Sequence, residues 1–325
     1  MLAMAEQPPS WKRRPEGGGR WPIRLIGAIG RQCPRGLTGL LLYPITLYFL
    51  IVRGVERRAS RDYLSRVFAR PAGLWQVARH IHTFAATILD RIYLLGGRDQ
   101  GYAIHSEGTE VLLQALQQGR GALLFGAHVG SFDALRAFGR QRPDITIRVL
   151  LDVAHNPSIS ELLAELDPQL AAGIIDAGQE GPAIVLAMAQ ALEQGALVAL
   201  LVDRPGPGEA GVVAPLLGSP ARFAAMPWLL AASLKVPVVL GFGLYCGRRR
   251  YRMVFEPFVD TLHIPRRERG ALLPQLVQRY AARLEHQLHQ QPYNWFNFYE
   301  FWHVPANPPV SVAERGPAGG QPARD

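Results

Sequence analysis

Between Glu110 and Val202 the chain alternates stretches of helical spacing with short apolar runs four times over, and that pattern argues for a layered α/β sheet with both faces covered. Glu110 to Gln118 reads as helix, Gly121 to Ala127 as strand, Ser131 to Arg140 as helix and Ile145 to Leu151 as strand. Pro157 to Leu166, Gly173 to Asp176, Pro182 to Gln194 and Ala196 to Val202 continue as helix, short strand, helix and strand. After Pro205 the spacing predicts a strand at Val212 to Leu217, a helix at Ala221 to Leu234, strands at Pro237 to Cys246 and Arg252 to Phe258, and a long helix from about Arg267 to Gln290. Upstream, Ser60 to Leu95 reads as one or two helices. The expected fold class is α/β, a mixed sheet flanked by helices, with no internal repeat. A length of 325 residues at 48% apolar content supports one large domain with a substantial core.

The formal charge of +9 is unevenly placed. Residues 1 to 70 hold thirteen Lys or Arg against four acids, and residues 71 to 325 hold twenty-two of each. The excess flanks an uncharged run of seventeen residues, Gly36 to Val52, with Arg31 and Arg35 before it and Arg53, Arg57 and Arg58 after it. A basic excess around an apolar run points to a membrane surface and away from nucleic acid. A spanning helix wants ~20 apolar residues, with ~17 as the lower limit, and Pro44 would kink this one. Arginine on both flanks gives the positive-inside rule no direction. An interfacial or re-entrant hairpin, with Trp21 to Gly30 as first arm, fits as well as a span; a buried core helix is the competing reading. A cleaved signal peptide is disfavoured by the long basic leader and by the arginines where small residues should mark cleavage. The expected organisation is a disordered basic leader over residues 1–20, a membrane-anchoring helical segment over 21–58, a catalytic domain over 59–306 and a disordered tail over 307–325. Cys33 and Cys246 form no C-x-x-C, so neither a disulfide framework nor a cysteine metal site is expected, and the catalytic domain reads as facing a reducing cytoplasm.

The chemistry begins at Gly121-Ala-Leu-Leu-Phe-Gly-Ala-His128-Val-Gly-Ser-Phe-Asp133. A histidine and a carboxylate five residues apart follow a buried strand, with Gly126 and Gly130 permitting a tight turn. Neutral imidazole, with a reference pKa of about 6.5, takes a proton from a hydroxyl, and a carboxylate fixes its tautomer and stabilises the imidazolium. The hydroxyl then serves as nucleophile, so no enzyme serine or cysteine is required.

This stretch resembles the block I motif of the lysophospholipid acyltransferase superfamily, and the whole layout, from about Pro22 to Pro305, is similar to its bacterial branch of lipid A lauroyl and myristoyl acyltransferases. The resemblance implies a glycerolipid acyltransferase-like fold, His128 as general base, Asp133 as the acid that orients it, and no cofactor or metal. It implies an acyl carrier protein or acyl-CoA thioester as donor, a lipid or glycolipid hydroxyl as acceptor, and a place at the cell inner membrane with the catalytic domain facing the cytoplasm. The chain departs from the branch in having Asp133 where glutamate is usual, and in lacking a clean F-P-E-G block. Its counterpart, Pro215-Leu-Leu-Gly-Ser-Pro-Ala-Arg222-Phe, looks more like the F-x-G-x-x-A block of the lipid A enzymes. The ending Asn294-Trp-Phe-Asn-Phe-Tyr-Glu-Phe-Trp302 resembles the acyltransferases of aryl polyene and xanthomonadin-type pigment pathways.

Other candidates follow from position. Asp203 and Arg204 end an apolar strand, match the family's D-[QR] position and are both candidates for binding substrate; Arg204 reads as a binder of phosphate or phosphopantetheine, or as half of a local ion pair. Arg222 is a second anion-binding candidate. Gly218 and Gly130 are candidates for bringing a backbone N–H to the developing oxyanion. Gly206-Pro-Gly-Glu-Ala-Gly211 fits G-x-G-x-x-G literally, but no helix follows and no acid lies between Glu209 and Glu256, so it reads as a flexible loop over the site. Lys235-Val-Pro resembles block IV of the family or is ordinary punctuation. Glu256 is expected to pair with a basic neighbour, His80 and His82 point to different helix faces, and the aromatic ending is core, a cap on the acyl tunnel or a set of rings at headgroup level. No G-x-S-x-G elbow supports a serine hydrolase. A lipid-binding relative without turnover remains the non-enzymatic alternative.

Overall fold

The computed structural model describes residues 33–302 apart from 118, 155, 156, 207, 208 and 210. The expected leader, the first arm at Trp21 to Gly30 and the expected tail lie outside the described residues.

Helices α1 (Arg35–Thr38), α2 (Leu42–Val52), α3 (Gly54–Val67) and α4 (Leu74–Leu95) come first, with a 3-10 turn at Gly39–Leu41 between α1 and α2. Pro44 explains that turn: it has no N–H for the Leu40 carbonyl, so the regular ladder starts only afterwards. The α/β part follows as β1 (Ala103–Glu107), α5 (Thr109–Gln117), β2 (Ala122–Gly126), α6 (Asp133–Gln141), β3 (Ile147–Leu151), α7 (Pro157–Leu166), α8 (Pro168–Ala172), β4 (Ile174–Asp176), α9 (Gly181–Glu193) and β5 (Leu197–Leu201). It closes with β6 (Val212–Leu216), β7 (Ser219–Phe223), α10 (Met226–Leu234), β8 (Val238–Tyr245), β9 (Arg250–Val259) and α11 (Arg269–Gln290).

Seven strands form one sheet in the order β1-β9-β8-β2-β5-β3-β4, parallel except for the β8–β9 pair. The mixed, helix-flanked α/β sheet expected from the alternation is the observed architecture. β2 is fully buried because both sheet faces are covered, which is why its sequence reads as a continuous apolar run. On one face Leu123, Phe125, Val198 and Leu240 pack with Val277, Tyr280 and Leu284 of α11. On the other, Leu124, Leu197 and Ala199 pack with Leu112 of α5 and Ala134 and Phe138 of α6.

Two elements differ from expectation. Ala221 to Phe223 belong to β7, not to a helix, because Leu217 and Gly218 adopt positive φ of 49° and 76° and turn the chain back as a two-residue hairpin. The helix begins only at Met226, where Pro227 suits a first turn. β1, an exposed edge strand of Ala-Ile-His-Ser-Glu, lacks the apolar run that marks the inner strands.

Candidate active site

Adjacent parallel strands β2 and β5 pair Gly126 with Leu201. Continuing that register by two residues sets His128 beside Asp203 at the carboxyl end of the sheet, where open α/β sheets gather ligands. His128 Nδ1 lies 2.7 Å from Asp203 Oδ1. Asp203 Oδ2 accepts the His128 backbone N–H at 3.2 Å and the Trp295 indole N–H at 3.0 Å. An ionised carboxylate only accepts, so Nδ1 carries the proton and Nε2 presents its lone pair. The Asp203 side chain is fully buried and that of His128 is 34% exposed, so the pair has a dry acid and an accessible base.

Electrostatics agrees with a neutral imidazole. Burial, together with the Arg204 guanidinium, holds His128 below its usual value, against the opposing pull of Asp203. Burial pushes the Asp203 carboxyl up, but His128, Arg204 and the Trp295 donor outweigh it and hold the acid well below the usual carboxylate range.

The turn between β2 and α6 is shaped by its neighbours. Gly130 sits at φ +65°, and a Cβ there would run into the Gly243 carbonyl, so only glycine fits. Its N–H donates to Asn294 O at 2.7 Å, and Phe296 N–H donates to His128 O at 2.9 Å. Gly130 therefore anchors the turn to the aromatic ending, and its N–H is engaged there, not held free for an oxyanion.

Asp133, expected to orient His128, makes no hydrogen bond to it. Its Oδ2 accepts Arg91 Nε of α4 at 2.7 Å and the Ser131 hydroxyl at 3.4 Å. The physical reason is placement: Asp133 opens α6 beyond the turn, facing the α4 arginine, while Asp203 reaches His128 straight across the ladder.

Arg204 Nη2 donates to Phe296 O at 3.0 Å, its guanidinium lies 5.3 Å from the Tyr299 ring centre, and its buried Nε has no hydrogen-bond partner. Asn297, 2% exposed, has neither its amide nitrogen nor its oxygen hydrogen-bonded. Neighbouring Asn294 contrasts with it, pairing fully with the Tyr245 backbone.

The segment is held from below by His80, which is fully buried on α4. One ring nitrogen is 2.8 Å from Ser60 Oγ and the other 2.9 Å from Trp295 O. Burial lowers His80 to about 4, the carbonyl contact opposing, so it is neutral and donates through Nε2. Tyr63, against Trp295, reaches Pro292 O at 2.8 Å.

Gly218 lies in the β6–β7 turn. That hairpin is tied to α11 by Leu217 N–H on Glu285 at 2.7 Å and to the aromatic ending by Trp302 on Leu216 O at 3.1 Å. No hydrogen bond joins Gly218 to His128 or Asp203. Arg222, on β7, leaves a buried Nη2 without a hydrogen-bond partner. Glu209 tethers the loop after Arg204: its carboxylate accepts Gly206 N–H, and Ala225 and Met226 N–H at the start of α10, each at 2.6 Å. Glu256 meets Gln287 at 2.7 Å and Arg283 at 3.6 Å, as its expected pairing requires.

Arg91, His80, Trp295 and Asn297 were not singled out from sequence as site-building residues. The aromatic density at 294–302 marked that segment, but no spacing connects it to Asp203. Among the described residues no group of three or more His, Cys, Asp or Glu is arranged to hold a metal ion. Residues 28–303 match the family model described as bacterial lipid A biosynthesis acyltransferase. No curated protein sequence matches the chain.

Proposed function

We propose, from the premise that the chain belongs to the bacterial lipid A biosynthesis acyltransferase family and is therefore an acyltransferase of lipids, that His128 is the general base of a direct O-acyl transfer. The supporting observation is His128 Nδ1 held by the dry carboxylate of Asp203, with Nε2 left basic. The acceptor hydroxyl gives its proton to Nε2 as its oxygen bonds to the thioester carbonyl carbon. The tetrahedral oxyanion then collapses, the C–S bond breaks, and the departing thiolate takes the proton from the imidazolium. Asp203 holds the ring and stabilises the cation; no covalent enzyme intermediate is needed.

Arg204 supplies positive charge beside the reacting atoms, and its free Nε and the unpartnered Asn297 carboxamide are donors for substrate oxygens. Such preorganised donors matter most in a water-poor site. Asp133, paired with Arg91 and accepting the Ser131 hydroxyl, ties the turn after His128 to α4. Gly130 keeps the turn tight. Arg222 and Gly218 belong to the hairpin that closes against α11, with Arg222 the further candidate for an anionic donor group.

The donor is an acyl carrier protein or coenzyme A thioester, and the acceptor a lipid or glycolipid hydroxyl. The aromatic ending fits an enzyme whose acyl group is an aryl polyene as well as a fatty chain. Attachment is interfacial. Arg35 to Val52 is 18 residues and apolar enough to cross a membrane, about 27 Å at ~1.5 Å per residue. Yet it packs lengthwise against α4, with Thr38 on Tyr93 at 2.9 Å and Thr46 on His82 at 3.3 Å. α4 carries Asp90 and Arg91, so a perpendicular span would drag charged, site-bearing structure into lipid. Leu37, Tyr43, Leu47, Ile51 and Trp75 form the exposed apolar side instead. The catalytic domain then rests on the cytoplasmic face of the inner membrane.

The test is incubation of the full chain with labelled acyl carrier protein or acyl-CoA and total membrane lipid, with mass analysis of products. An acylated lipid made by wild type and absent with His128→Ala supports the reading. No transfer from either donor refutes it.

A further inference from the structure

At the amino end of the apolar segment a second site is built, away from His128. A cleft of about 350 Å³ opens between Pro34, Arg35, Tyr93, Arg98, Tyr102 and Arg249. Its floor is a buried polar cluster: Asp90, fully buried, engages Arg35 Nε and accepts the hydroxyls of Tyr102 at 2.9 Å and Tyr251 at 2.8 Å. Asp90 balances Arg35. The Arg249 guanidinium, by contrast, has no hydrogen-bond or ion-pair partner among the described residues. It is presented by a turn in which Gly247, Arg248 and Arg249 all take positive φ, at 82°, 48° and 62°. Arg248 and Arg249 are the central pair of the tight β8–β9 hairpin, closed by Arg250 N–H on Gly247 O at 3.0 Å, and this turn holds Arg249 at the mouth of the cleft.

The surroundings say what such a cleft holds. Arg35, Arg98 and Arg249 line a tyrosine-walled recess, and a guanidinium-rich lining suits a phosphate, which accepts forked N–H donors. Pro34 and Arg35 form the rim, and the next turns expose Leu37 at 64% and Leu40 at 62%. An occupant with a phosphate head and acyl chains satisfies both surfaces; a soluble phosphate satisfies one. We propose that the Arg35–Arg98–Arg249 cleft binds the phosphate of an anionic membrane lipid. This rests on the interfacial attachment above. Asp90 and Arg91 are consecutive on α4, and Arg91 holds Asp133, so a headgroup in the cleft is docked one residue away from the helix position that braces the catalytic turn.

The test uses the purified full chain and vesicles of phosphatidylcholine with or without phosphatidic acid, at fixed salt. The variant is Arg98→Gln/Arg249→Gln, which leaves the Arg35–Asp90 contact in place; Arg58→Gln, beyond the far end of α2, is the control. Wild type and Arg58→Gln should prefer the anionic vesicles by on the order of tenfold or more, the double variant should lose that preference, and binding to neutral vesicles should be alike in all three. A double variant that keeps the preference, or a wild type that shows none, overturns the proposal. So does inorganic phosphate or glycerol phosphate binding as tightly as the vesicles, which would make the ligand a soluble anion. His128→Ala keeps the cleft, so its vesicle preference separates failure of this site from failure of the acyltransferase reading.

Discussion

His128 and Asp203 stand two residues past the paired ends of adjacent parallel strands, 2.7 Å apart between Nδ1 and Oδ1. Because the acid lies on the ladder itself, its hold on the imidazole depends on sheet register and not on the flexibility of the turn after His128.

The pH dependence of turnover follows from the charges around His128. Arg204 lowers the histidine's pKa and Asp203 raises it. Removing the cation by Arg204→Gln should move the acidic limb of the kcat/KM profile to higher pH, and removing the anion by Asp203→Asn should move it to lower pH in whatever activity survives. Limbs that do not move, or that move in the reverse sense, would show that His128 is not the group titrating.

His80 makes stability depend on pH. Its folded-state pKa is depressed from 6.5 to about 4, so between those values the unfolded chain binds a proton that the folded chain refuses. Its contribution is present above pH 6.5 and is lost as pH falls towards 4, by about 3 kcal/mol at most. Urea unfolding across that range should show the loss in wild type and a flatter dependence in His80→Gln. Identical slopes in the two proteins would remove His80 as the cause.

The Asn297 carboxamide is buried and unpartnered, a condition costing about 1–3 kcal/mol per unsatisfied group. Asn297→Leu should leave thermal stability equal or higher while lowering acyl transfer about tenfold or more. Unchanged turnover in the stabilised variant would mean the amide touches no substrate.

Arg91 and Asp133 should behave as one unit. In a double-mutant cycle of Arg91→Met and Asp133→Asn, the losses should be non-additive, with a coupling of about 1 kcal/mol for a partly buried pair. Simple additivity would leave Asp133 acting alone.

The proposed membrane attachment is tested on the exposed side of α2. Leu47 and Ile51, 57% and 68% exposed, become lysines in Leu47→Lys/Ile51→Lys without disturbing the core. Vesicle binding should weaken by about tenfold or more while the fold persists. Undiminished binding would move the contact elsewhere.

Much of the fold was legible because β2, β5 and β8 are buried on both sides and so read as unbroken apolar runs. The edge strand β1 and the hairpin strand β7 were not, since neither needs such a run and β7 depends on left-handed backbone at Leu217 and Gly218. In the candidate site, His128 is visible in the sequence as a histidine ending a strand. Spacing along the chain points to Asp133 as the partner of that histidine, whereas the carboxylate hydrogen-bonded to it is Asp203, because β5 comes to lie beside β2 only after the chain has crossed out through β3 and β4 and back. The sequence presents Asp203 as a strand-end, substrate-binding candidate, and nothing one-dimensional sets it opposite His128. Trp295 was likewise visible only as an aromatic, not as a donor to that acid.

The most direct measurement is the rate of acyl transfer by Asp203→Asn beside His128→Ala, with both variants shown to be folded and present at equal concentration. If Asp203 holds the base in its working tautomer, Asp203→Asn should lose roughly 10³–10⁴ in rate and fall close to His128→Ala. Asp203→Asn turning over within a few-fold of wild type would contradict the account.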